Sequence, residues 1–336
     1  MEKIKIPNTA SCEGIFKPQT ETVATSREVL NSVRAIKILL FYKFVEMKDP
    51  ERFVEEHGRF CEDLGIKGKI LVAKEGINGS VSGTMEQVEK YKTELWRKKE
   101  FEDIVFKEEE GLEHPFERMV VRTRDYIINI GKDVDLNKKG RYIKSDELVK
   151  LYESGEDFVI VDGRNNYESE IGKFKGAVTP NIENFREFDK VVEQLRGFEN
   201  KKIVTYCTGG IRCEKASAML VENGFHNVYQ LEGGVITFCQ NFPNTFWEGS
   251  CFVFDKRLVS KVGQETRPIT KCRHCLKESD FYRNCRNKEC DELMIVCDSC
   301  DSEMRGCCSE ECFGKVESSF KEKEIKNRGK YSKENP

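Results

Sequence analysis

The sequence predicts a multidomain chain that joins α+β and α/β architecture, and three observations predict it. Over residues 34–130 the periodicity runs β-α-β-β-α-β, the split-βαβ order of a ferredoxin-like (acylphosphatase-like) domain. Over residues 140–242 strands alternate with helices, as in a doubly wound α/β domain. Within a third segment, residues 250–314, nine of the 15 cysteines crowd between Cys272 and Cys312.

Taken in order, residues 1–33 carry Pro7, Gly14 and Pro18 without clear periodicity and read as an irregular extension. Ile36–Val45 is an apolar strand that Asp49-Pro50 ends. Pro50 suits the first turn of a helix on which Phe53, His57, Phe60, Cys61 and Leu64 share a face, and Gly65 stops it. Lys69–Ala73 is the second strand, and Asn78-Gly79 is a hairpin signal leading into a short strand at Ser80–Ser82. Thr84 caps a helix with Val88, Tyr91 and Leu95 on one face, and Phe101–Phe106 closes the unit as a strand.

A long strand is then expected over Phe116–Ile130. Period two sets Arg118, Val120, Arg122, Arg124 and Tyr126 on one side. Three arginines and a tyrosine on one strand face suit an RNA phosphate backbone and a stacked base. The same pattern also describes an ordinary solvated strand face.

After the polar linker Gly131–Gly140, Ser145 opens a helix whose capping box is imperfect, because Leu148 stands where Glu would serve. The strand Phe158–Val161 ends on Asp162. A helix at Arg186–Leu195, a strand at Lys202–Tyr206, a helix to Asn223 and a strand at Asn227–Gln230 complete the alternation. Between the second of these strands and its helix runs the loop Cys207-Thr208-Gly209-Gly210-Ile211-Arg212. Backbone N–H groups of such a loop converge on the cysteine sulfur, and the helix N-terminus behind it adds positive potential. Both favour thiolate over thiol, so Cys207 is predicted to be a reactive cysteine of low pKa. The glycines let the backbone curl, and Arg212 supplies a fixed charge. A loop at the carboxyl end of a strand is also where open α/β sheets bind ligands. Asp162, Arg164 and Glu168 either frame this pocket or hold the strand-end loop by ion pairing.

Composition narrows the setting. Hydrophobic residues make up 38% and charged residues 34% of the 336 positions, which suits a globular protein with a charged surface. A formal net charge of -3 means that a nucleic acid would be met by local patches. Met1–Ser11 lacks the apolar core of a signal peptide, and the longest apolar stretch is too short to span a bilayer. A cytoplasmic location with no membrane partner is therefore expected, with the cysteines as thiols or metal ligands instead of disulfides.

Cys272-Arg-His-Cys275 and Cys297-Asp-Ser-Cys300 are paired CxxC knuckles, a spacing that signals tetrahedral zinc. One site would use Cys272, Cys275, Cys297 and Cys300; a second would use Cys285, Cys290, Cys312 and either Cys307 or Cys308. Closed four-thiolate sites are structural, and a short segment with few large apolar residues needs such a staple. The competing description is a set of reduced structural thiols, or of pairs oxidised in air. Lys315–Pro336, rich in Lys and Glu, reads as a disordered charged tail.

The motifs Asp162-Gly-Arg164, Tyr167-Glu168, Ile171-Gly172, Phe174-Lys-Gly176-Ala177, Cys207–Arg212 and Leu231-Glu-Gly-Gly234 together resemble a rhodanese domain. Four residues separate Cys207 from Arg212, the length of sulfurtransferase-type loops; the related phosphatase loops hold five. With Glu75-Gly-Ile-Asn-Gly79-Ser-Val-Ser-Gly83, His114-Pro115-Phe116, Cys213-Glu-Lys-Ala-Ser217 and Phe252-Val-Phe-Asp255-Lys-Arg257, the chain from roughly Arg34 to Cys312 resembles the rhodanese-type tRNA uridine hydroxylases (TrhO). The resemblance implies oxygen-dependent 5-hydroxylation of the tRNA wobble uridine, with O2 as co-substrate, tRNA as partner and Cys207 as the active residue.

The residues leave the chemistry open between three readings. No GxGxxG fingerprint for a flavin or NAD is present, and the four histidines (His57, His114, His226, His274) show no pairing for an iron site. A hydroxylase would then use the Cys207 thiolate to add to uracil C6 and make C5 electron-rich. A sulfurtransferase would carry a persulfide on Cys207, stabilised by the loop amides and Arg212. An RNA adaptor would use the ferredoxin-like unit and the cysteine-rich module, and would need no reactive thiol. Cys213 either packs its helix or resolves an oxidised Cys207.

Overall fold

The computed structural model describes residues 36–263 and 265–318. The extension 1–33 lies outside them, as does the tail beyond 318; residues 315–318, expected as disordered, instead continue a helix that begins at 310.

The first unit contains β1 (Ile36–Phe44), α1 (Pro50–Leu64), β2 (Lys67–Ala73), β3 (Gly76–Gly83), α2 (Met85–Trp96), β4 (Phe106–Gly111) and β5 (Met119–Thr123). The sheet order is β4-β1-β3-β2-β5, with β5 parallel to β2 and the other pairs antiparallel. Asp49 caps α1 by accepting from the Arg52 N–H at 3.0 Å, and Gly65, at φ +74°, ends it. Thr84 and Gln87 form the reciprocal capping box of α2. Alternation along β1 then does two jobs. Leu39 and Phe41 point into a core with Ile70, Val81, Val88 and Tyr91, where each buried apolar side chain contributes about 1.5–3 kcal/mol. Ile38, Leu40 and Tyr42 point the other way, onto the face that carries no helix.

Three expectations for this unit are corrected. Asn78-Gly79 is not a turn: both lie inside β3, opposite Tyr42 and Phe41 of β1, and the reversal is at Lys74-Glu75. Glycine stands at 79 for packing, since a Cβ there would come within 2.5 Å of the Phe41 ring. The closing strand is Phe106–Gly111, because Lys99–Phe101 forms a 3₁₀ turn that buries Phe101 in the core. The strand expected over Phe116–Ile130 stops at Thr123. Past it the chain is held by side chains: the Ile127 N–H donates to Glu75 at 2.8 Å and Asn78 Nδ2 donates to the Ile127 carbonyl at 3.1 Å.

The second unit contains β6 (Arg141–Ile143), α3 (Ser145–Ser154), β7 (Phe158–Asp162), α4 (Asn166–Glu170), β8 (Gly172–Phe174), α5 (Phe188–Gln194), β9 (Lys202–Tyr206), α6 (Ile211–Glu222), β10 (Asn227–Leu231) and α7 (Gly234–Asn241). Its parallel sheet has the order β6-β10-β9-β7. Val159, Val161 and Ile203 join one core, while Ile160, Val204 and Tyr206 join the core on the opposite face. Lys144, not Ser145, caps α3, and its N–H donates to Glu147 at 2.8 Å. The helix expected at Arg186–Leu195 opens as a 3₁₀ turn over Phe185–Glu187.

Beyond it, β11 (Trp247–Gly249) pairs with β8, and β12 (Cys251–Phe252) with β13 (Val259–Ser260). The cysteine-rich module is built on the hairpin β14 (Tyr282–Asn284)–β15 (Leu293–Ile295) and α8 (Asp298–Glu303). It is fastened to α4 through the Tyr282 hydroxyl, which lies 2.8 Å from the Tyr167 carbonyl and 2.9 Å from Glu170.

Candidate active site

Cys207 directly follows β9 and is 1% exposed. The Gly210 N–H donates to its Sγ at 3.1 Å. Burial alone would raise its pKa. The Cys213 thiol donating to it, the Arg212 charge and the N–H groups of Cys213 and Arg212 together outweigh burial and bring it down to about 6. Cys213 itself is fully buried, and burial together with the neighbouring Cys207 charge pushes its thiol up, so it stays protonated and serves as a donor.

The Leu231-Glu-Gly-Gly motif packs behind this loop. The N–H groups of Val235 and Ile236 donate to the carbonyls of Cys207 and Thr208 at 3.0 and 3.1 Å. Gly234, at φ +68°, leaves no room for a side chain, since a Cβ would lie 2.4 Å from the Cys207 carbonyl oxygen.

Arg212 makes a bidentate pair with Glu168 at 2.6 and 2.7 Å. Burial by itself disfavours the guanidinium charge, and Glu168 more than restores it. Asp162 and Arg164 form a second pair, both fully buried, and Asp162 also accepts from the Tyr206 hydroxyl at 2.8 Å. These carboxylates therefore hold the loop and its sheet together. Glu75 does the same between units, accepting from Lys215 at 2.8 Å.

The bare face of the first sheet roofs the loop. Gly209 and Gly210 are glycines partly for this reason: a Cβ on Gly209 would meet Leu40 Cδ2 at 2.7 Å, and one on Gly210 would meet the Tyr42 hydroxyl at 2.9 Å. Gly209→Ala is expected to cost about 1–3 kcal/mol by overpacking, and adding Leu40→Ala is expected to recover part of it in urea unfolding. An equal loss in both variants would place the strain elsewhere.

Under the roof lies a cavity of about 350 Å³. Ile38, Leu40, Leu71 and Asn78 line it above; Cys207, Thr208, Ile211, Ile236 and Phe254 line it below. Thr208 Oγ1 and Asn165 Oδ1 border it, buried and with no hydrogen-bond partner. A second cavity of about 750 Å³ lies beyond Tyr42 and Lys107, which line both.

The four residues expected on one RNA-facing strand do not stay together. Arg122 is level with Leu71 of β2, and its buried Nε has no partner. Arg124 is exposed just past the strand. Partial burial together with the Arg122 and Arg124 charges holds the ammonium of Lys69, which lines the cavity, below its ordinary range. Arg118 is exposed ahead of β5, and Tyr126 is engaged by Asp133 at 2.9 Å and by Lys215 over its ring. Lys69, Leu40, Tyr42 and Lys107 were missed by sequence reasoning. Their signal is strand alternation in a sheet whose two helices cover only one face.

Two cysteine groups could hold a metal: Cys272, Cys275, Cys297 and Cys300, and Cys285, Cys290, Cys308 and Cys312. Within each, the sulfurs lie within 4.8 Å of one another, and tetrahedral Zn–S bonds of about 2.3 Å require S···S separations of roughly 3.8 Å. Cys307 stands outside the second group. His57 bonds the Tyr91 hydroxyl, His114 bonds Ser82, and His274 bonds the Cys307 carbonyl. Among the described residues no helix is long and apolar enough to cross a membrane.

A parallel sheet whose strand-end loop holds a cysteine against a backbone amide, beneath a second, mixed sheet, is a rhodanese-type arrangement roofed by another domain. Residues 36–127 match the UPF0176 acylphosphatase-like domain, residues 144–241 the rhodanese-like domain, and residues 248–313 the rhodanese C-terminal domain. The chain is 41% identical over 283 residues to the tRNA uridine(34) hydroxylase of Bacillus licheniformis, covering 82% of this chain and 88% of that one. It is 41% identical over 288 residues to the protein of the same name from Bacillus mycoides, covering 84% and 90%. The chain belongs to the tRNA uridine(34) hydroxylase family.

Proposed function

We propose that this protein hydroxylates C5 of uridine 34 in tRNA, with Cys207 as the catalytic nucleophile and dioxygen as co-substrate. The observation that carries this reading is the Cys207 sulfur, held by the Gly210 N–H, at a cavity roofed by a second domain. The volume of about 350 Å³ is in the range of small-molecule sites and admits one base. Thr208 Oγ1 and Asn165 Oδ1 offer unused partners for the polar edge of a pyrimidine. Lys69, Arg122 and Arg124 supply uncompensated positive charge for backbone phosphates, a local patch on a chain of net charge -3. A base inside the cavity must leave its stack, which single-stranded anticodon nucleotides do at low cost. The overall change converts uridine, dioxygen, two electrons and two protons into 5-hydroxyuridine and water. A tRNA substrate puts the protein in the cytoplasm.

Each cysteine group would hold one zinc ion. Zinc would supply no chemistry at Cys207; it would fold the module whose Tyr282 braces α4. The purified, reduced protein is expected to contain about two zinc ions per chain by metal analysis. Chelation is expected to unfold the module, read as loss of the near-ultraviolet signal of Tyr282 and its neighbours. A metal-free protein with an unchanged spectrum would remove zinc from the account. The function is tested by nucleoside mass spectrometry of tRNA from cells lacking the gene, with and without the gene restored.

A further inference from the structure

We infer that Lys107 is a catalytic acid of this site, donating a proton to O4 of the uracil as Cys207 adds to C6. The inference rests on the hydroxylation reading and adds to it the group that receives the displaced electrons.

Three lysines are buried among the described residues: Lys92, Lys107 and Lys215. Lys92 pairs with Glu89 and Glu108, and Lys215 pairs with Glu75. Lys107 is 8% exposed, and its ammonium has no hydrogen-bond or ion-pair partner among the described residues. Its one close neighbour of note is the Tyr42 ring, whose centroid lies 5.1 Å away. The side chain is buried while its unpaired ammonium opens onto the cavity, and such groups concentrate where chemistry uses them.

Its position is fixed by sheet register. Lys107 of β4 lies opposite Leu40 of β1, on the bare face, and Leu40 is the residue that rests on Gly209. The side chain therefore projects over the loop that carries Cys207 and lines the same cavity. The titratable groups facing it are Cys207, Glu214 of α6 and Glu232 after β10, with Tyr42 from its own sheet. Glu214 is already committed to the Tyr42 and Tyr142 hydroxyls and to Lys139. Burial lowers the Lys107 pKa to about 8, against the opposing pull of Cys207, Glu214 and Glu232, so it is protonated at neutral pH yet ready to release a proton.

In the step assigned to it, the thiolate of Cys207 forms the S–C6 bond. The C5=C6 π pair moves to C5–C4, and the C4=O4 pair moves onto O4. Lys107 gives its proton to O4 and becomes a neutral amine, leaving a neutral enol whose C5 is electron-rich. No oxidant or reductant enters this step.

The test uses the full-length protein and an anticodon stem-loop RNA with 5-fluorouridine at position 34, without oxygen, so that addition is read apart from oxygenation. The wild type is expected to form a covalent complex on denaturing gels, with its mass equal to protein plus RNA. Lys107→Met is expected to slow complex formation by about 10²–10⁴-fold with RNA binding unchanged. The wild-type rate is expected to fall above pH about 8, and Lys107→Arg to move that limb upward. Lys107→Met removes a buried charge without changing the volume much, so it is expected to melt at or above the wild-type temperature; Lys107→Arg serves if it does not fold. Complex formation by Lys107→Met at the wild-type rate, with the same alkaline limb, overturns the inference. So does a wild type that hydroxylates tRNA but forms no complex. A wild type that leaves uridine 34 of tRNA unmodified overturns the functional reading itself.

Discussion

Cys207→Ser is expected to abolish 5-hydroxyuridine in the tRNA of a deletion strain, with a loss on the order of 10⁴-fold or more in purified enzyme, as removal of a catalytic nucleophile does. The hydroxyl keeps the volume and the Gly210 N–H contact but cannot ionise near neutrality, and the site is built for an anion. The acid limb tests the same argument without a mutation. Because the Cys207 pKa is depressed to about 6, the thiolate fraction and the rate should rise between pH 5 and pH 7 and then level off, before Lys107 loses its proton. A limb near the ordinary thiol range would mean that the loop does not activate its cysteine. Hydroxylation surviving in Cys207→Ser would move the chemistry elsewhere and leave the cysteine to persulfide transfer. Incubating the wild type with thiosulfate would then give a mass gain of about one sulfur, on the thiolate logic that makes Cys207 the only candidate carrier in the loop.

Glu168→Gln is expected to destabilise the protein by roughly 3–5 kcal/mol in urea unfolding, because it leaves the Arg212 guanidinium buried without its counter-charge. Glu168 also accepts from the Asn165 N–H at 3.1 Å, so the opening of α4 loosens with it. Adding Arg212→Met removes the orphaned charge and is expected to regain much of the stability, though not the activity, since the loop loses its fixed cation. A double variant no more stable than Glu168→Gln alone would show that the ion pair is not the source of the loss. The steady-state abundance in cells should follow the same order.

How much of this was legible in the sequence depended on the range of the interaction. The loop from Cys207 to Arg212 was legible because strand, glycines and helix are contiguous, and the cap at Thr84 was legible for the same reason. Asn78-Gly79 was misread because a turn signature and a packing requirement ask for the same residue. Only Phe41, across the sheet, tells them apart. The strand at Phe116–Ile130 was overextended because alternation continues where the ladder does not: after the Arg124 N–H donates to the Val72 carbonyl at 2.8 Å, Glu75 and Asn78 take the backbone groups of Ile127 that a neighbouring strand would have taken. Cys213 was open between packing and redox chemistry, and its fully buried place beside Cys207 makes it a donor. Lys107 had only the alternation of its strand to mark it. Its meaning arises only when the sheet register sets it beside Leu40 and the second domain closes beneath.

The contact of Leu40 and Tyr42 with the two loop glycines also constrains how such a protein can be inherited. Tyr42 and Glu214, 172 positions apart, share a hydrogen bond at 3.1 Å, and the glycines lie just before that glutamate. A loop with alanine at either glycine position meets this sheet only with strain, which a smaller residue on the facing strand would relieve. The two domains are thus not exchangeable parts: recombination between them would have to carry four residues from distant stretches of the gene together.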